Sequence, residues 1–218
     1  MIKAEHKWWA RLIFNPYTDR LLKKNFGNFY LVNDLPDLDN SAGLIITPNH
    51  FSWWDGFIVD FISRKLIKRK IHVMMLEEQL KRYWFFNKVG AYSINITNPV
   101  SMVKTLHYTR DIAGSNENFV VLFPQGKIQS LNEKSVSIKE GLKVLLDTVK
   151  FELYVLPMAV KFEYGNNKNP DIVVRFGRQL KATEIKSDFE VFAGEFTRNL
   201  ESLKTTTKIE AFKNIFKI

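Results

Sequence analysis

Apolar positions along the chain fall into short runs of branched and aromatic residues, separated by longer stretches in which they recur at helical spacing. The runs cover residues 29–32, 43–47, 71–76, 91–96, 119–123, 153–160 and 172–176, and each has the length and composition of a strand. Residues 52–66, 77–89, 99–112 and 138–149 have helical length and periodicity, and 188–204 with 208–218 predicts a closing helical pair. Strands alternating with helices predict an α/β fold: a central, mostly parallel sheet of about seven strands, flanked by helices. The runs FVVLFP and LYVLPMAV are apolar at every position, as strands covered on both faces require.

Residues 1–25 read as an amphipathic N-terminal helical segment preceding a single α/β domain over 26–218. Trp8, Trp9, Leu12 and Ile13 recur at helical spacing beside Lys3, Lys7 and Arg11, and Pro16 predicts an interruption before Leu21. Two partners suit that apolar stripe: a lipid headgroup interface, where tryptophan and lysine are both at home, or the rest of the protein. The softest linkers lie at 34–41 and 165–171, and there is no internal repeat.

Charge and composition narrow the function. Lysine and arginine number 32 against 23 acidic residues, a net charge of +9, which points to an anionic partner such as lipid headgroups, coenzyme A or nucleic acid. A nucleic-acid role lacks both a dense basic stripe and a glycine-aromatic signature, so no nucleic-acid partner is expected. The chain has no cysteine, which excludes disulfides, thiolate nucleophiles and cysteine-ligated zinc. The longest apolar run is far short of the ~20 residues that span a bilayer, and MIKAEHKWWARLIF lacks the features of a signal peptide. A peripheral protein on the cytoplasmic face of an anionic membrane is the expectation.

The candidate chemistry lies in TPNHFSWWDG, residues 47–56. The strand at 43–47 cannot continue past Pro48, so Asn49 and His50 fall in the loop at its carboxyl end, where open α/β sheets bind ligands. Ser52 and Asp55 have the spacing of a capping box. On one helix His50 and Asp55 would project about 140° apart, but a loop-to-helix junction lets them converge. Asp55 could then fix one ring nitrogen of His50 and leave the other as a base. The pair equally suits a plain helix start, with a carboxylate facing the helix dipole.

Further blocks bear on that choice. Asn49-His50-Phe51-Ser52-Trp53-Trp54-Asp55 resembles the first signature of the glycerol-phosphate and lysophosphatidic acid acyltransferase family, Asn-His, four residues, Asp. Phe123-Pro124-Gln125-Gly126-Lys127-Ile128 is similar to its Phe-Pro-Glu-Gly-Thr-Arg block. Val155 to Val160, around Pro157, resembles its apolar fourth block, and Gly90 to Asn95 falls at its second. The resemblance spans roughly residues 25–180. It implies transfer of a fatty acyl group from acyl-CoA or acyl-ACP to the hydroxyl of a lipid or other alcohol acceptor. In that scheme His50 is the general base, Asp55 orients it, and there is no covalent acyl-enzyme, cofactor or metal. Asn49, Trp53, Trp54, Asn95, Pro124, Gln125, Gly126, Lys127 and Pro157 become candidate substrate-binding residues, with an amide near Gly126 as a possible oxyanion donor.

The sequence departs from the family where phosphate recognition is concerned. Gln125, Ile128 and Asn95 stand where the family has glutamate, arginine and arginine. Losing both guanidinium groups removes the bidentate donors that favour phosphate, leaving Lys127 as a point charge. The expected acceptor is therefore not ordinary lysophosphatidic acid but another hydroxyl-bearing lipid. The alternative is a catalytically weak relative that binds acyl groups or lipids. The aromatic cluster Tyr83 to Phe86, as a helix, would be apolar nearly all round and so buried or lipid-facing, with burial favoured, and His6, His72 and His107 lack ligand-spaced partners.

Overall fold

A computed structural model describes residues 1–133, 135–165 and 167–217. All seven expected strands form: β1 (Phe29–Leu31), β2 (Gly43–Pro48), β3 (Lys70–Leu76), β4 (Ala91–Ile94), β5 (Asn118–Val121), β6 (Leu153–Glu163) and β7 (Asp171–Phe176). Two-residue strands β8 (Leu180–Lys181) and β9 (Lys213–Asn214) complete the sheet. Its order is β4-β3-β5-β2-β6-β7-β1-β9, with β8 on β6. From β4 to β6 every pairing is parallel; β7 is antiparallel to β6, and β1 is parallel to β7.

The period-two side-chain alternation divides the core between two faces. On β2, Leu44 and Ile46 face α1 (Trp8–Asn25) and α2 (Asp55–Ile62). Ile45 faces the opposite way, toward α4 (Pro99–Ala113), α5 (Gly141–Asp147), α6 (Ala182–Ser187) and α7 (Phe189–Lys204). Every residue of β2 is buried, which is why the run carries no polar alternation.

The departures from expectation are local. Pro16 does not interrupt α1. The helix runs through it because Ala10, Phe14, Thr18 and Leu22 form one buried i, i+4 row. Burial of large apolar side chains at ~1.5–3 kcal/mol each offsets the ~3 kcal/mol penalty of an interior proline. The helix expected over 77–89 stops early: α3 (Glu77–Arg82) gives way to a 3₁₀ turn at Trp84–Lys88. The helix expected over 208–218 is absent among the described residues. Residues 213–214 pair instead as β9 with β1, flanked by two 3₁₀ turns. Edge pairing satisfies backbone groups of β1 that a helix would leave open; Ile218 lies outside the described residues.

Pro157 sits inside β6, where a missing N–H is costly. It falls at a change of partner: β8 pairs with Tyr154 and Val155, and β7 pairs from Met158 onward. The proline occupies the seam between two neighbours, and its carbonyl accepts from Gly177 N–H.

Candidate active site

β2 ends at Pro48, and Asn49 and His50 follow at the carboxyl end of the parallel strands. His50 Nδ1 lies 2.7 Å from Asp55 Oδ2. The same oxygen accepts the backbone N–H groups of Phe51, at 2.9 Å, and Ser52, at 3.0 Å. A carboxylate on the first residue of α2, holding two amides of the preceding turn, is thus locally folded into place before it meets the histidine. Asp55 is buried, and its Oδ1 has no hydrogen-bond partner among the described residues. The capping box is half formed: Asp55 takes the Ser52 amide, but Ser52 Oγ accepts from Trp54 N–H, so the helix starts at Asp55.

The imidazole is partly open to solvent, with 26% of the His50 side chain exposed against 1% for Asp55. Its ring stacks on Phe123, with centroids 4.3 Å apart. Nδ1 is occupied by Asp55 and no described group bonds Nε2, which leaves Nε2 as the free nitrogen of the ring.

Both main-chain groups of His50 are held by the loop after β5. Its N–H donates to Gln125 Oε1, and its carbonyl accepts from Gln129 N–H at 2.9 Å. With Oε1 so engaged, Gln125 Nε2 donates to Gln129 Oε1 at 3.0 Å, and that oxygen also accepts from Ser137 N–H. Both glutamines are buried. The left-handed Gly126, at φ +70°, closes the turn with its amide on the Phe123 carbonyl, so that amide is not available to an oxyanion. Pro124 is buried, whereas Lys127 and Ile128 are exposed at the tip. Gln129 carried no signal in the sequence; only the turn at Gly126 brings it under His50.

Asn49 faces the sheet. Its amide donates to the Val160 carbonyl at 3.0 Å, and its oxygen accepts from Val160 N–H at 2.6 Å, both buried. This bidentate tie replaces a strand pairing that ends at Pro48, and it fixes the backbone from which His50 projects. Asn95 Oδ1 accepts from the amide and hydroxyl of Thr97, forming a local turn, so its side chain is folded back on its own loop.

The two tryptophans diverge. Trp54 packs on Phe26, with centroids 5.1 Å apart, while Trp53 is exposed and leans on Phe57 at 4.8 Å. From Trp53 a file of rings leads through Phe57, Phe14 and Phe85 to Trp9 on α1, each step 4.8–6.1 Å. Tyr83 and Trp84 are exposed, contrary to the expectation of a buried cluster, because the chain leaves α3 before its second half can turn inward. Arg11 and Arg64 both bond the buried Asp60, which pins α1 to α2 on this side.

Two histidines without sequence partners meet in space. His6 and His72 make an edge contact with centroids 4.6 Å apart, and burial pushes both down to about 4. Neither ring nitrogen of His72 has a hydrogen-bond partner among the described residues. No group of three or more histidine, aspartate or glutamate side chains suited to a metal occurs among the described residues.

An acyltransferase family model matches residues 30–161, which contain His50, Asp55 and the loop that holds them. The fold is similar to the crystal structure of the 1-acyl-sn-glycerophosphate (LPA) acyltransferase PlsC from Thermotoga maritima, at a TM-score of 0.61 and 14% identity. That match covers 91% of this chain and 81% of the other. No curated protein matches the sequence. With the family model matched over residues 30–161, more than half of the sequence, the chain belongs to the acyltransferase family.

Proposed function

We propose that this acyltransferase moves a fatty acyl group from a thioester carrier, coenzyme A or acyl carrier protein, directly to a lipid hydroxyl, with His50 as general base. The observation that carries this reading is the ring geometry: Nδ1 held by a buried carboxylate at 2.7 Å, and Nε2 open. The acceptor hydroxyl loses its proton to Nε2 as its oxygen attacks the thioester carbonyl. Asp55 stabilises the resulting imidazolium, and collapse of the tetrahedral intermediate expels the thiolate, which recovers that proton. No enzyme nucleophile takes part, consistent with a chain lacking cysteine.

The acceptor reading rests on what the loop offers. Both polar groups of Gln125 are occupied within the protein, Asn95 bonds Thr97, and Ile128 is apolar. Lys127 is the one cation at the tip of the 123–128 loop. A hydroxyl-bearing lipid with a less charged head than lysophosphatidic acid suits this surface better.

Membrane contact follows from α1, whose outward arc is apolar: Trp8, Leu12, Ile13 and Tyr17 are 75%, 66%, 58% and 55% exposed. Such an arc is favourable where acyl chains cover it. The reading is peripheral attachment through this arc, on the cytoplasmic face; no helix among the described residues is long and apolar enough to cross a membrane. Residues 1–25 supply that contact and 26–218 form the catalytic unit.

The test incubates the protein with labelled acyl-CoA or acyl-ACP and a total lipid extract, comparing wild type with His50→Ala. A labelled lipid formed by wild type and lost in the variant supports the reading. Equal transfer by both proteins removes His50 as base, and fastest transfer to lysophosphatidic acid overturns the acceptor reading.

A further inference from the structure

At the opposite edge of the sheet from His50, a cleft of about 820 Å³ opens between the start of α1, the end of α2 and the amino ends of β3 and β5. β2 alone separates the two ends by six residues, about 20 Å at ~3.3 Å per residue. Six cations line this cleft, Lys7, Arg11, Arg64, Lys68, Arg69 and Lys70, against one carboxylate, Glu117, so its lining carries +6 − 1 = +5.

The cations are not equivalent. Arg11 and Arg64 are neutralised by Asp60 and Asp19, Lys7 by Glu5, and Lys70 by Glu117. Arg69 is held in place chiefly by backbone: its guanidinium donates to the carbonyls of Ala42 and Asp39, and the Asp39 carboxylate acts on it through space without forming an ion pair among the described residues. Lys68 has no ion-pair or side-chain partner among the described residues. It also adopts a left-handed backbone, φ +58°, at the end of the π-helical turn Ser63–Ile67. Glycine is the relaxed residue for that conformation, and both a strained lysine and a π turn mark places where function outweighs local comfort. Trp8, 75% exposed, forms part of the rim and joins the cleft to the apolar arc of α1.

We propose that this cleft is a second binding site, for a phosphate group, in which Arg69 supplies a fixed fork and Lys68 a mobile point charge. Its contiguity with Trp8 and the outer face of α1 makes the phosphate of an anionic phospholipid the fitting source; a soluble phosphate offers the same chemistry. The site stands independently of the role of His50.

The experiment uses the full chain and two probes. Inorganic phosphate is compared with chloride at equal ionic strength by thermal shift, and vesicles of phosphatidylcholine are compared with vesicles containing phosphatidylglycerol by flotation. Lys68→Gln is set against Lys104→Gln, an exposed lysine on α4 across the sheet. Lys68→Gly, which relieves the left-handed strain, guards against a folding artefact. The expectation is a roughly fivefold loss of binding to anionic vesicles in both Lys68 variants, with neutral vesicles and Lys104→Gln unaffected. A lost phosphate shift with unchanged vesicle binding assigns the site to a soluble phosphate, and lost vesicle binding alone assigns it to a lipid headgroup. Lys68 variants that match wild type in both arms, or Lys104→Gln falling equally, would overturn the site in favour of diffuse charge.

Discussion

The side-chain oxygen of Gln125 accepts the backbone N–H of His50, and the amide nitrogen of the same residue donates to Gln129. A neutral amide satisfies both partners; a carboxylate can accept from His50 but has nothing to donate. Gln125→Glu therefore sets two acceptors against each other and breaks the link to Gln129. Both Gln125→Glu and Gln125→Ala should lower kcat, the alanine variant by up to about 10²-fold through loosened positioning of His50. A wild-type kcat in both variants would show that the clamp does not position the histidine.

Asp55→Asn keeps the shape of the side chain but removes the charge facing His50 Nδ1. On the proposed mechanism, in which the carboxylate acts on the developing imidazolium, kcat should fall roughly 10²–10⁴-fold with little change in KM. Steady-state kinetics on the best acceptor decide this, and a wild-type kcat would remove Asp55 from the mechanism.

Asn49→Ala breaks the buried two-point tie to Val160 and leaves a strand N–H and a carbonyl unpaired. Unfolding in urea should show a loss of roughly 2–4 kcal/mol. A shift below half a kcal/mol would mean that water replaces the amide.

Stability should also depend on pH through His72. Burial holds its ring at about 4, below its ordinary 6.5, so the unfolded chain binds a proton that the folded chain refuses. Stability is level above pH 6.5 and falls as pH drops through the window from 6.5 to 4, by roughly 3 kcal/mol for this ring. His6, pushed down equally, contributes a like fall, so His72→Leu should remove about half of the slope in urea midpoints measured across the window; an unchanged slope would place the proton uptake elsewhere.

Replacing Trp8, Leu12 and Ile13 together by serine alters only exposed positions. Folding stability should stay within about 0.5 kcal/mol of wild type. Vesicle binding should drop by more than about a hundredfold, as three buried apolar groups are lost from the lipid side. Retained flotation would assign the arc to a protein partner.

How much of this was legible beforehand differs by element. The seven principal strands could be read because their apolar runs are bounded by turn residues and sit at separations that helices fill. The sequence 208–218 misled because its apolar spacing is compatible with a helix, while the need of β1 for an edge partner is visible only once β1 is known to lie near the margin. The His50-Asp55 pair was legible because both members lie on one loop-helix junction. Gln129 was not, because nothing local distinguishes it from any loop glutamine.

By itself the sequence determined the alternation of strands and helices and the placement of His50 beyond a strand end, since both depend on periodicity and turn chemistry within a few residues. Tertiary structure decided what the neighbouring polar groups do. Gln125 reaches His50 across 75 positions and Asn49 reaches Val160 across 111, and both contacts exist only because β2 lies between β5 and β6. It also decided that α1 turns Phe14 and Leu22 inward and Trp8 and Leu12 outward. A helix apolar on both sides has no preferred face until packing assigns one.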